Sequence, residues 1–238
     1  MLVIKNLKKR YEKFSLDIEN FQVKQGEFIS ILGQSGSGKS TFLNILAGIE
    51  TEYIGEVSIK GELSMVFQDS LLLPHLNLFE NIAFGLRIKK MDKNEIDARV
   101  VEVMKKLEIF SLKDKYPNEI SGGEKQRVSI GRALVMKPQL LLMDEPFSSL
   151  DENLRERLQE VVKNLQKELG LTIIFVTHDR DEAFYLSDRI ALINKGKIEQ
   201  YDSAINLFTK PISDYVYKFL SLENIVVKDQ EIYRKMKV

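Results

Sequence analysis

A glycine-rich stretch, residues 33–40, contains the residue types that bind phosphate groups. It reads Gly-Gln-Ser-Gly-Ser-Gly-Lys-Ser and lies between a continuously apolar segment and a segment with helical spacing. Glycines let the backbone turn tightly, so that successive N–H groups and the N-terminus of the following helix face one anion. Lys39 is expected to reach the β and γ phosphates, and the Ser40 hydroxyl to ligate Mg²⁺. The stretch predicts a nucleotide-phosphate site rather than an ordinary glycine–serine turn.

Two acidic residues, Asp144 and Glu145, follow the apolar run of residues 140–143. The run has the composition of a buried strand, and ligands of open α/β sheets bind at the carboxyl ends of such strands. Asp144 is predicted to hold Mg²⁺, usually through water, and Glu145 to orient or deprotonate a water that attacks the γ phosphate. A strand that simply ends in solvated acids explains an Asp-Glu pair alone, but it is a poor explanation beside a phosphate-binding stretch.

The base of the nucleotide follows from a motif that the sequence lacks. GTPases read guanine with Asn-Lys-x-Asp, and the nearest match, Asn194-Lys195-Gly196-Lys197, ends in lysine. Adenine is therefore the predicted base and ATP the predicted nucleotide. A small-molecule kinase stays compatible with the phosphate-binding stretch and the acidic pair.

The elements that position these motifs are predicted from hydrophobic periodicity. Alternation at period two, typical of half-buried antiparallel strands, occurs at Leu2, Ile4, Phe14, Leu16 and Ile18. Phe28–Leu32, residues 140–143 and Thr172–Thr177 are nearly continuous apolar runs, typical of strands buried on both faces. The middle of the chain has helical spacing, with one helix predicted over residues 124–136. This pattern predicts a parallel α/β core that carries a helical insertion and an N-terminal antiparallel edge.

Composition and charge exclude several other classes of protein. The 238 residues carry no net charge, no cysteine and two separate histidines, which excludes disulfide frameworks, thiol nucleophiles and clustered Cys/His metal sites. No apolar run approaches the ~18 residues of a membrane span, and the N-terminus lacks a secretion-signal pattern, so a cytoplasmic protein is expected. The balanced charge predicts no nucleic-acid partner.

A third motif, Ile120-Ser121-Gly122-Gly123-Glu124-Lys125-Gln126-Arg127, resembles the signature sequence of ABC-type ATPases. Other motifs of that family follow in its order: Gln68 in Val66-Phe67-Gln68-Asp69, Ser149-Leu150-Asp151 after the acidic pair, and His178 after a buried strand. Kinases and GTPases need no such set. The resemblance covers about residues 1–220 and implies an α/β P-loop NTPase (RecA-like) core with an N-terminal antiparallel β subdomain and an inserted helical signature subdomain.

The resemblance also implies a domain organisation. Residues 1–238 are expected to form a single ABC ATPase domain. Residues 1–75 and 138–200 would be its nucleotide-binding α/β core, and residues 76–137 its helical subdomain. Residues 201–238 would be a short C-terminal tail, and the chain after Lys210 resembles the segment that precedes a regulatory β domain in sugar, sulfate and polyamine importers. Because the sequence stops at Val238, a full regulatory domain is expected to be missing.

Roles for individual residues are carried over from the family's motifs. Tyr11 resembles the aromatic residue that stacks on adenine, and His178 resembles the switch residue that hydrogen-bonds the γ phosphate. The implied catalytic residues are Lys39, Gln68, Glu145 and His178, and the implied Mg²⁺ ligands are Ser40, Gln68 and Asp144. The implied ATP-binding residues are Tyr11, Gly33, Gln34, Ser35, Gly36, Ser37, Gly38, Lys39, Ser40, Thr41, Ser121, Gly122, Gly123 and Asp151.

Partners are implied as well, because members of the family work as head-to-tail dimers with two ATPs at the interface. Ser121, Gly122 and Gly123 would act on the ATP of a second ATP-binding subunit, with a homodimer expected, and Asp151 would communicate across the interface. Transmembrane permease subunits would dock beside Gln68, and an extracytoplasmic solute-binding protein would contribute indirectly. The implied location is the cytoplasmic face of the cell membrane.

Residues 67–86 favour the importers of sulfate, molybdate, iron, polyamines and sugars within this family. An exporter or lipoprotein-release ATPase stays open as an alternative, since it shares every catalytic residue. A soluble ABC ATPase that acts on DNA or the ribosome is a weaker alternative. Such proteins carry a long coiled-coil insertion or two fused ATPase halves, and this sequence shows neither. The transported solute is not encoded, since specificity resides in other chains.

Overall fold

The computed structural model describes residues 1–222, 225–228 and 231–234. The strands are β1 (Leu2–Arg10), β2 (Ser15–Val23), β3 (Phe28–Leu32), β4 (Ile54–Ile59), β5 (Leu63–Val66), β6 (Leu140–Asp144), β7 (Thr172–Thr177), β8 (Arg189–Asn194), β9 (Lys197–Ser203), β10 (Ile225–Lys228) and β11 (Glu231–Arg234). The helices are α1 (Lys39–Leu46), α2 (Leu78–Ile88), α3 (Lys93–Lys106), α4 (Gly122–Leu134), α5 (Glu152–Leu169), α6 (Arg180–Leu186), α7 (Ala204–Thr209) and α8 (Asp214–Phe219). The chain divides into two compact units, one of residues 1–59 and 176–238 and the other of residues 60–175.

The N-terminal strands of the first unit form an antiparallel sheet of order β2-β1-β4. Ile4 lies opposite Phe21 of β2 and Val57 of β4. Along β1 the residues Leu2, Ile4 and Leu7 are fully buried, while the polar residues between Ile4 and Leu7 face solvent. The predicted antiparallel N-terminal strands are confirmed, and the period-two pattern arises because only one face of the sheet is covered.

The first unit also contains β3, β8 and β9. Strand β3 pairs in parallel with β8, every residue of β3 is buried, and β8 pairs antiparallel with β9. Helices α7 and α8 pack against this sheet through Leu207 and Val216, which join a buried apolar cluster with Leu32 and Leu192. The hairpin of β8 and β9 was not predicted. Its turn contains Lys195 and Gly196 with φ angles of 45° and 79°.

The second unit contains β5, β6 and most of β7, which are neighbours in that order. Strands β5 and β6 are parallel, with Val66 opposite Met143, and the strand predicted over residues 140–143 is buried as expected. Helices α2, α3 and α4 lie within the predicted helical insertion, whose bounds stay a prediction. Helix α4 begins two residues earlier than the predicted 124, because Ser121 caps it at the N-terminus.

The α/β fold class is therefore confirmed. Helix α5 ends where Gly170 adopts a left-handed φ of 61°, as the sequence predicted for this glycine. Among the helices of the described residues, none combines the length and the apolar composition that a membrane crossing requires.

Candidate functional site

The phosphate-binding stretch, called the phosphate loop below, connects β3 to α1 in the first unit. Gly36 and Gly38 adopt φ angles of 75° and 104°, which favour glycine, and Gly38 directly precedes α1. A Cβ at Gly33 would lie 2.3 Å from the carbonyl oxygen of Ile193, so the loop passes too close to β8 for a side chain. The three glycines therefore give the tight turn at a helix N-terminus that a phosphate group requires.

Lys39 lies inside this loop. Its Nζ donates hydrogen bonds to the carbonyl oxygens of Gly33 at 2.9 Å and Gln34 at 3.0 Å, and the residue is 6% exposed. A buried ammonium group in a concave backbone turn has the position and charge to bind phosphate oxygens. Ser40 and Thr41 follow in the first turn of α1, with Ser40 exposed.

Tyr11 lies beside the phosphate loop, at the end of β1. Its hydroxyl donates to Glu50 Oε2 at 3.0 Å, and its ring stacks on Phe14 with centroids 6.3 Å apart. Desolvation and the hydrogen bond to Glu50 raise the pKa of the Tyr11 phenol, while a hydrogen bond with Thr41 of α1 lowers it. Tyr11 is 45% exposed, so it has free aromatic surface on which a base can stack.

Two residues near Tyr11 were not predicted from the sequence. Phe14 packs on the phosphate loop, since a Cβ at Gly38 would lie 2.5 Å from Phe14 Cζ. Glu50 accepts from Tyr11 and pairs with Lys9, whose Nζ is 3.0 Å from Glu50 Oε1 and 5.1 Å from the centroid of the Tyr11 ring. Neither residue belongs to the phosphate-binding motif. The period-two pattern identified Phe14 only as a strand residue.

His178 follows β7 and is exposed. Both of its chain neighbours, Thr177 and Asp179, form hydrogen bonds. The Thr177 hydroxyl donates to Glu182 Oε2 at 2.6 Å and accepts from the Asp179 N–H at 3.0 Å. Asp179 caps α6 by accepting from the N–H groups of Asp181 and Glu182. These bonds fix the backbone around His178 and leave its imidazole at the surface.

In the second unit, Gln68 and the acidic pair lie at one edge of the sheet. Because β5 and β6 are parallel and in register at Val66 and Met143, their carboxyl ends lie side by side. Gln68 follows β5, Asp144 ends β6, and Glu145 comes next with a left-handed φ of 41°. The Ser148 hydroxyl donates to the Glu145 carbonyl oxygen at 3.0 Å. The structure thus brings these three predicted residues to the same edge.

The oxygen ligands proposed for Mg²⁺ suit that ion chemically. Ser40 offers a hydroxyl, Gln68 an amide oxygen and Asp144 a carboxylate, and hard oxygen ligands are what Mg²⁺ prefers. Within the described ranges there is no group of three or more His, Cys, Asp or Glu side chains that could hold a metal by themselves.

The signature motif forms the N-terminus of α4. Ser121 caps the helix, and Glu124 accepts hydrogen bonds from the Ser121 N–H and hydroxyl, both at 2.8 Å. These bonds lower the pKa of the Glu124 carboxyl. Gly122 is exposed with open space around it, whereas a Cβ at Gly123 would lie 2.0 Å from Leu154 Cδ2. Gly123 is therefore needed for packing against α5, and Gly122 is the glycine that faces outward.

Asp151 has a structural role in addition to the predicted one. Its side chain accepts from the Leu154 N–H at 3.1 Å and caps the N-terminus of α5.

The predicted site residues are divided between the two units. The first unit contains Tyr11, the phosphate loop and His178. The second unit contains Gln68, the signature residues 121–123, the acidic pair and Asp151. The roles assigned to all these residues stay predictions.

A family model described as ABC transporter matches residues 16–148, more than half of the chain. The chain belongs to the ABC transporter family. Its curated relatives include spermidine/putrescine import ATP-binding proteins, PotA, of three bacteria. The relative from Lawsonia intracellularis is 40% identical over 92% of this chain and 63% of its own length, and that from Mannheimia succiniciproducens is 41% identical over 94% and 64%. The relative from Mesoplasma florum is 40% identical over 95% and 68%.

The chain spans 57–68% of the length of the curated relatives it matches. Solved structures agree on the fold. The cbiO1 protein of Clostridium perfringens, part of the ABC transporter complex cbiONQ, has a TM-score of 0.81 and 30% identity over 88% of this chain and 90% of its own. A dimeric ATP-binding cassette bound to ADP and Pi has a TM-score of 0.76 and 33% identity over 85% and 98%. The expected P-loop NTPase fold with its antiparallel β subdomain is confirmed.

Proposed function

We propose that this chain is the ATP-binding and ATP-hydrolysing subunit of an ABC importer. The observation that carries the proposal is the phosphate loop, in which the buried Lys39 ammonium lies within a glycine turn at the start of α1. Relatives named as import ATP-binding proteins support import over export, and over soluble ABC ATPases that act on DNA or the ribosome. Spermidine and putrescine, which those names include, are the first solutes to test.

Nucleotide binding uses the loop, α1 and Tyr11. The loop N–H groups, the N-terminus of α1 and Lys39 neutralise the β and γ phosphates. The exposed ring of Tyr11 stacks on adenine. Its hydrogen bond to Glu50 holds the ring in place, so less side-chain freedom is lost on binding.

Hydrolysis uses the residues that follow β5, β6 and β7. Ser40, Gln68 and Asp144 would hold Mg²⁺, which would neutralise charge on the phosphate oxygens. Glu145 accepts a proton from the attacking water and orients it toward the γ phosphorus. His178 hydrogen-bonds a γ-phosphate oxygen and steadies the same water.

Two copies of the chain close around two ATPs. The outward-facing Gly122 and the N-terminus of α4 bind the phosphates held by the partner, so each bound ATP draws the two copies together. Ser121 acts on the same phosphates, and Asp151 communicates across the interface. The dimer opens again when hydrolysis removes the bridging γ phosphate.

Permease subunits dock beside Gln68 and contact exposed apolar side chains of the second unit. Leu71, Phe84 and Ile88 are 58%, 40% and 66% exposed, and an apolar surface of this kind is a typical protein contact. The chain is thereby held at the cytoplasmic face of the cell membrane, and an extracytoplasmic solute-binding protein delivers the solute to the permease. We also propose the predicted division of the chain, with residues 1–75 and 138–200 as the nucleotide-binding core and residues 76–137 as the helical subdomain.

The test of the proposed function uses Glu145→Gln, which keeps the side-chain shape but cannot accept the proton. We expect wild type to hydrolyse ATP, Lys39→Ala to bind it weakly, and Glu145→Gln to accumulate as an ATP-bound dimer in light scattering. Membranes solubilised with ATP and tagged Glu145→Gln should yield multi-span membrane proteins. Recovery of ribosomal or DNA-bound proteins instead would contradict transport, and hydrolysis by Glu145→Gln at the wild-type rate would contradict the role of Glu145.

A further inference from the structure

The segment that follows Gln68 is attached to helix α4 by side chains that no role above uses. Arg132 Nη1 donates to the Leu71 carbonyl oxygen at 2.8 Å, and Arg132 Nη2 donates to the Ser70 carbonyl oxygen at 2.9 Å. The Ser70 hydroxyl donates to Gln126 Oε1 at 3.0 Å. Arg132 and Gln126 both belong to α4, the helix that begins at the signature motif. These three bonds are called the α4 clamp below.

The clamp is built to hold one backbone conformation. The planar guanidinium donates to two successive carbonyl groups, a fork geometry that a lysine ammonium cannot reproduce. One of those carbonyls belongs to Leu71, whose φ of 45° is unfavourable for a leucine and persists only where neighbouring contacts hold it. Gln126 is 1% exposed and Ser70 is half-buried, so the bond between them is partly shielded from solvent.

A second attachment fixes the other end of the same segment. The fully buried Asn81 of α2 accepts from the Leu73 N–H at 2.8 Å and donates to the Leu73 carbonyl oxygen at 3.1 Å. Residues 70–73 are thus fastened to α4 at Ser70 and Leu71 and to α2 at Leu73. Since Gln68 lies just before this segment, its placement depends on both attachments.

We infer that Arg132 and Gln126 are positioning residues that tie the placement of Gln68 to helix α4. With the clamp in place, the Gln68 amide is held where it would bind Mg²⁺ and the attacking water. This inference rests on the proposed function, because Gln68 has its role there.

The test is a double-mutant cycle between the clamp and Gln68. We expect Arg132→Ala to lower kcat about tenfold or more, with KM for ATP changed less than about twofold, because a misplaced group loses rate rather than substrate binding. Gln68→Ala should lower kcat similarly and raise the Mg²⁺ concentration needed for half-maximal rate. Adding Arg132→Ala to Gln68→Ala should then have no further effect, since the clamp acts through Gln68.

Two further variants separate the clamp from a general loss of structure. Arg132→Lys keeps the charge but loses the fork, and we expect it to give an intermediate kcat. Arg87→Ala removes an exposed arginine paired with Glu80 in the same unit and should leave kcat unchanged. If Arg132→Ala lowers kcat by the same factor with and without Gln68, the positioning role is overturned.

Amide hydrogen exchange tests the clamp without ATP hydrolysis. In nucleotide-free protein, we expect Arg132→Ala to speed amide hydrogen exchange in residues 68–73 at least about tenfold, with β5 and β6 unchanged. Unchanged exchange there overturns the clamp whatever the rates show. A wild-type rate no higher than that of Lys39→Ala would instead overturn the proposed function, and the exchange result would still decide the clamp.

Discussion

At the scale of single residues, the phosphate loop limits which side chains can replace its glycines. Gly38 has a left-handed φ of 104°, and a Cβ there would lie 2.5 Å from the Phe14 ring. We expect Gly38→Ala to lower the free energy of unfolding by about 2–4 kcal/mol, because backbone strain and overpacking add. We also expect it to weaken ATP binding. Chemical denaturation and an ATP titration measure the two effects.

Gly36→Ala is the matched control for that substitution. Gly36 also has a positive φ, of 75°, but no atom lies within 4 Å of a Cβ built on it. Only the backbone strain remains, so the expected loss is about 1–2 kcal/mol. Phe14→Ala should cost less stability in the Gly38→Ala background than in wild type, and the same in the Gly36→Ala background as in wild type. Equal losses in the two glycine variants would contradict the packing of Phe14 on the loop.

The residues of the phosphate loop could be predicted because their chemistry is local in sequence. A glycine turn followed by lysine and serine at a strand-to-helix junction carries its own function. Glu50 could not be predicted, because its partners Lys9 and Tyr11 are far from it in sequence, with β2, β3 and α1 between them. Arg132 could not be predicted either, since nothing in the sequence indicates that α4 contacts Ser70 and Leu71.

At the scale of elements, the two glycines of the signature motif have different tasks. A Cβ at Gly123 would overlap Leu154 of α5 at 2.0 Å, whereas a Cβ at Gly122 meets nothing within 4 Å. We expect Gly123→Ala to destabilise the protein by about 1–3 kcal/mol through overpacking. Gly122→Ala should leave the free energy of unfolding almost unchanged. Thermal and chemical unfolding of both variants provide the comparison.

A second substitution tests the cause of the Gly123→Ala effect. Leu154→Ala removes the atoms that the new Cβ would strike, so it should be less harmful in the Gly123→Ala background than in wild type. Additive losses in the double variant would show that the contact between α4 and α5 is not responsible.

The N-terminal cap of α4 predicts a dependence of stability on pH. Hydrogen bonds from Ser121 lower the pKa of Glu124 from its ordinary value of 4.5. The stabilisation is therefore fully present above pH 4.5 and is lost as the pH falls through the lower, folded-state pKa. We expect the free energy of unfolding of wild type to fall more steeply over this range than that of Glu124→Gln, which keeps a capping side chain. Denaturation curves from pH 7 to acid measure it.

The control for lost charge is Glu156→Gln, at an exposed position on α5. It removes one carboxylate without changing the Ser121 hydrogen bonds, so the difference between the two variants reports the cap. If the Glu124→Gln profile follows wild type, the Ser121 cap does not hold the carboxylate.

Element prediction succeeded where burial imposed a pattern and failed where it did not. Strands β3, β6 and β7 are buried almost throughout, and their apolar runs could be read directly. The hairpin of β8 and β9 was missed because its turn is Lys195-Gly196, a weaker turn signal than Asn-Gly or Asp-Gly. Strand β9 is only partly buried, so its sequence lacks the clear alternation that identified β1.

At the scale of the whole molecule, the sequence carries the order of the motifs but not the partner chains. Family membership follows from the matching family model, whereas an ATP site built from the phosphate loop of one chain and the signature motif of another is a proposal. The solute cannot be read from this chain, because no residue assigned here contacts it. The proposal that two copies pair head to tail can nevertheless be tested with this chain alone.

Two inactive variants should restore activity when mixed, if they pair in that way. Lys39→Ala removes the ammonium of the phosphate loop, and Gly122→Arg places a bulky side chain where the isolated chain has open space, so it should fold. In a mixed dimer, one ATP site combines the intact phosphate loop with the intact signature motif, and the other site carries both defects. A 1:1 mixture should therefore recover up to about a quarter of wild-type ATPase activity if the sites act independently, since half of the dimers are mixed. The ATPase rates of each variant alone and of the mixture measure it. If the mixture stays inactive although both variants form dimers with wild type, each site is built within one chain and the head-to-tail arrangement is wrong.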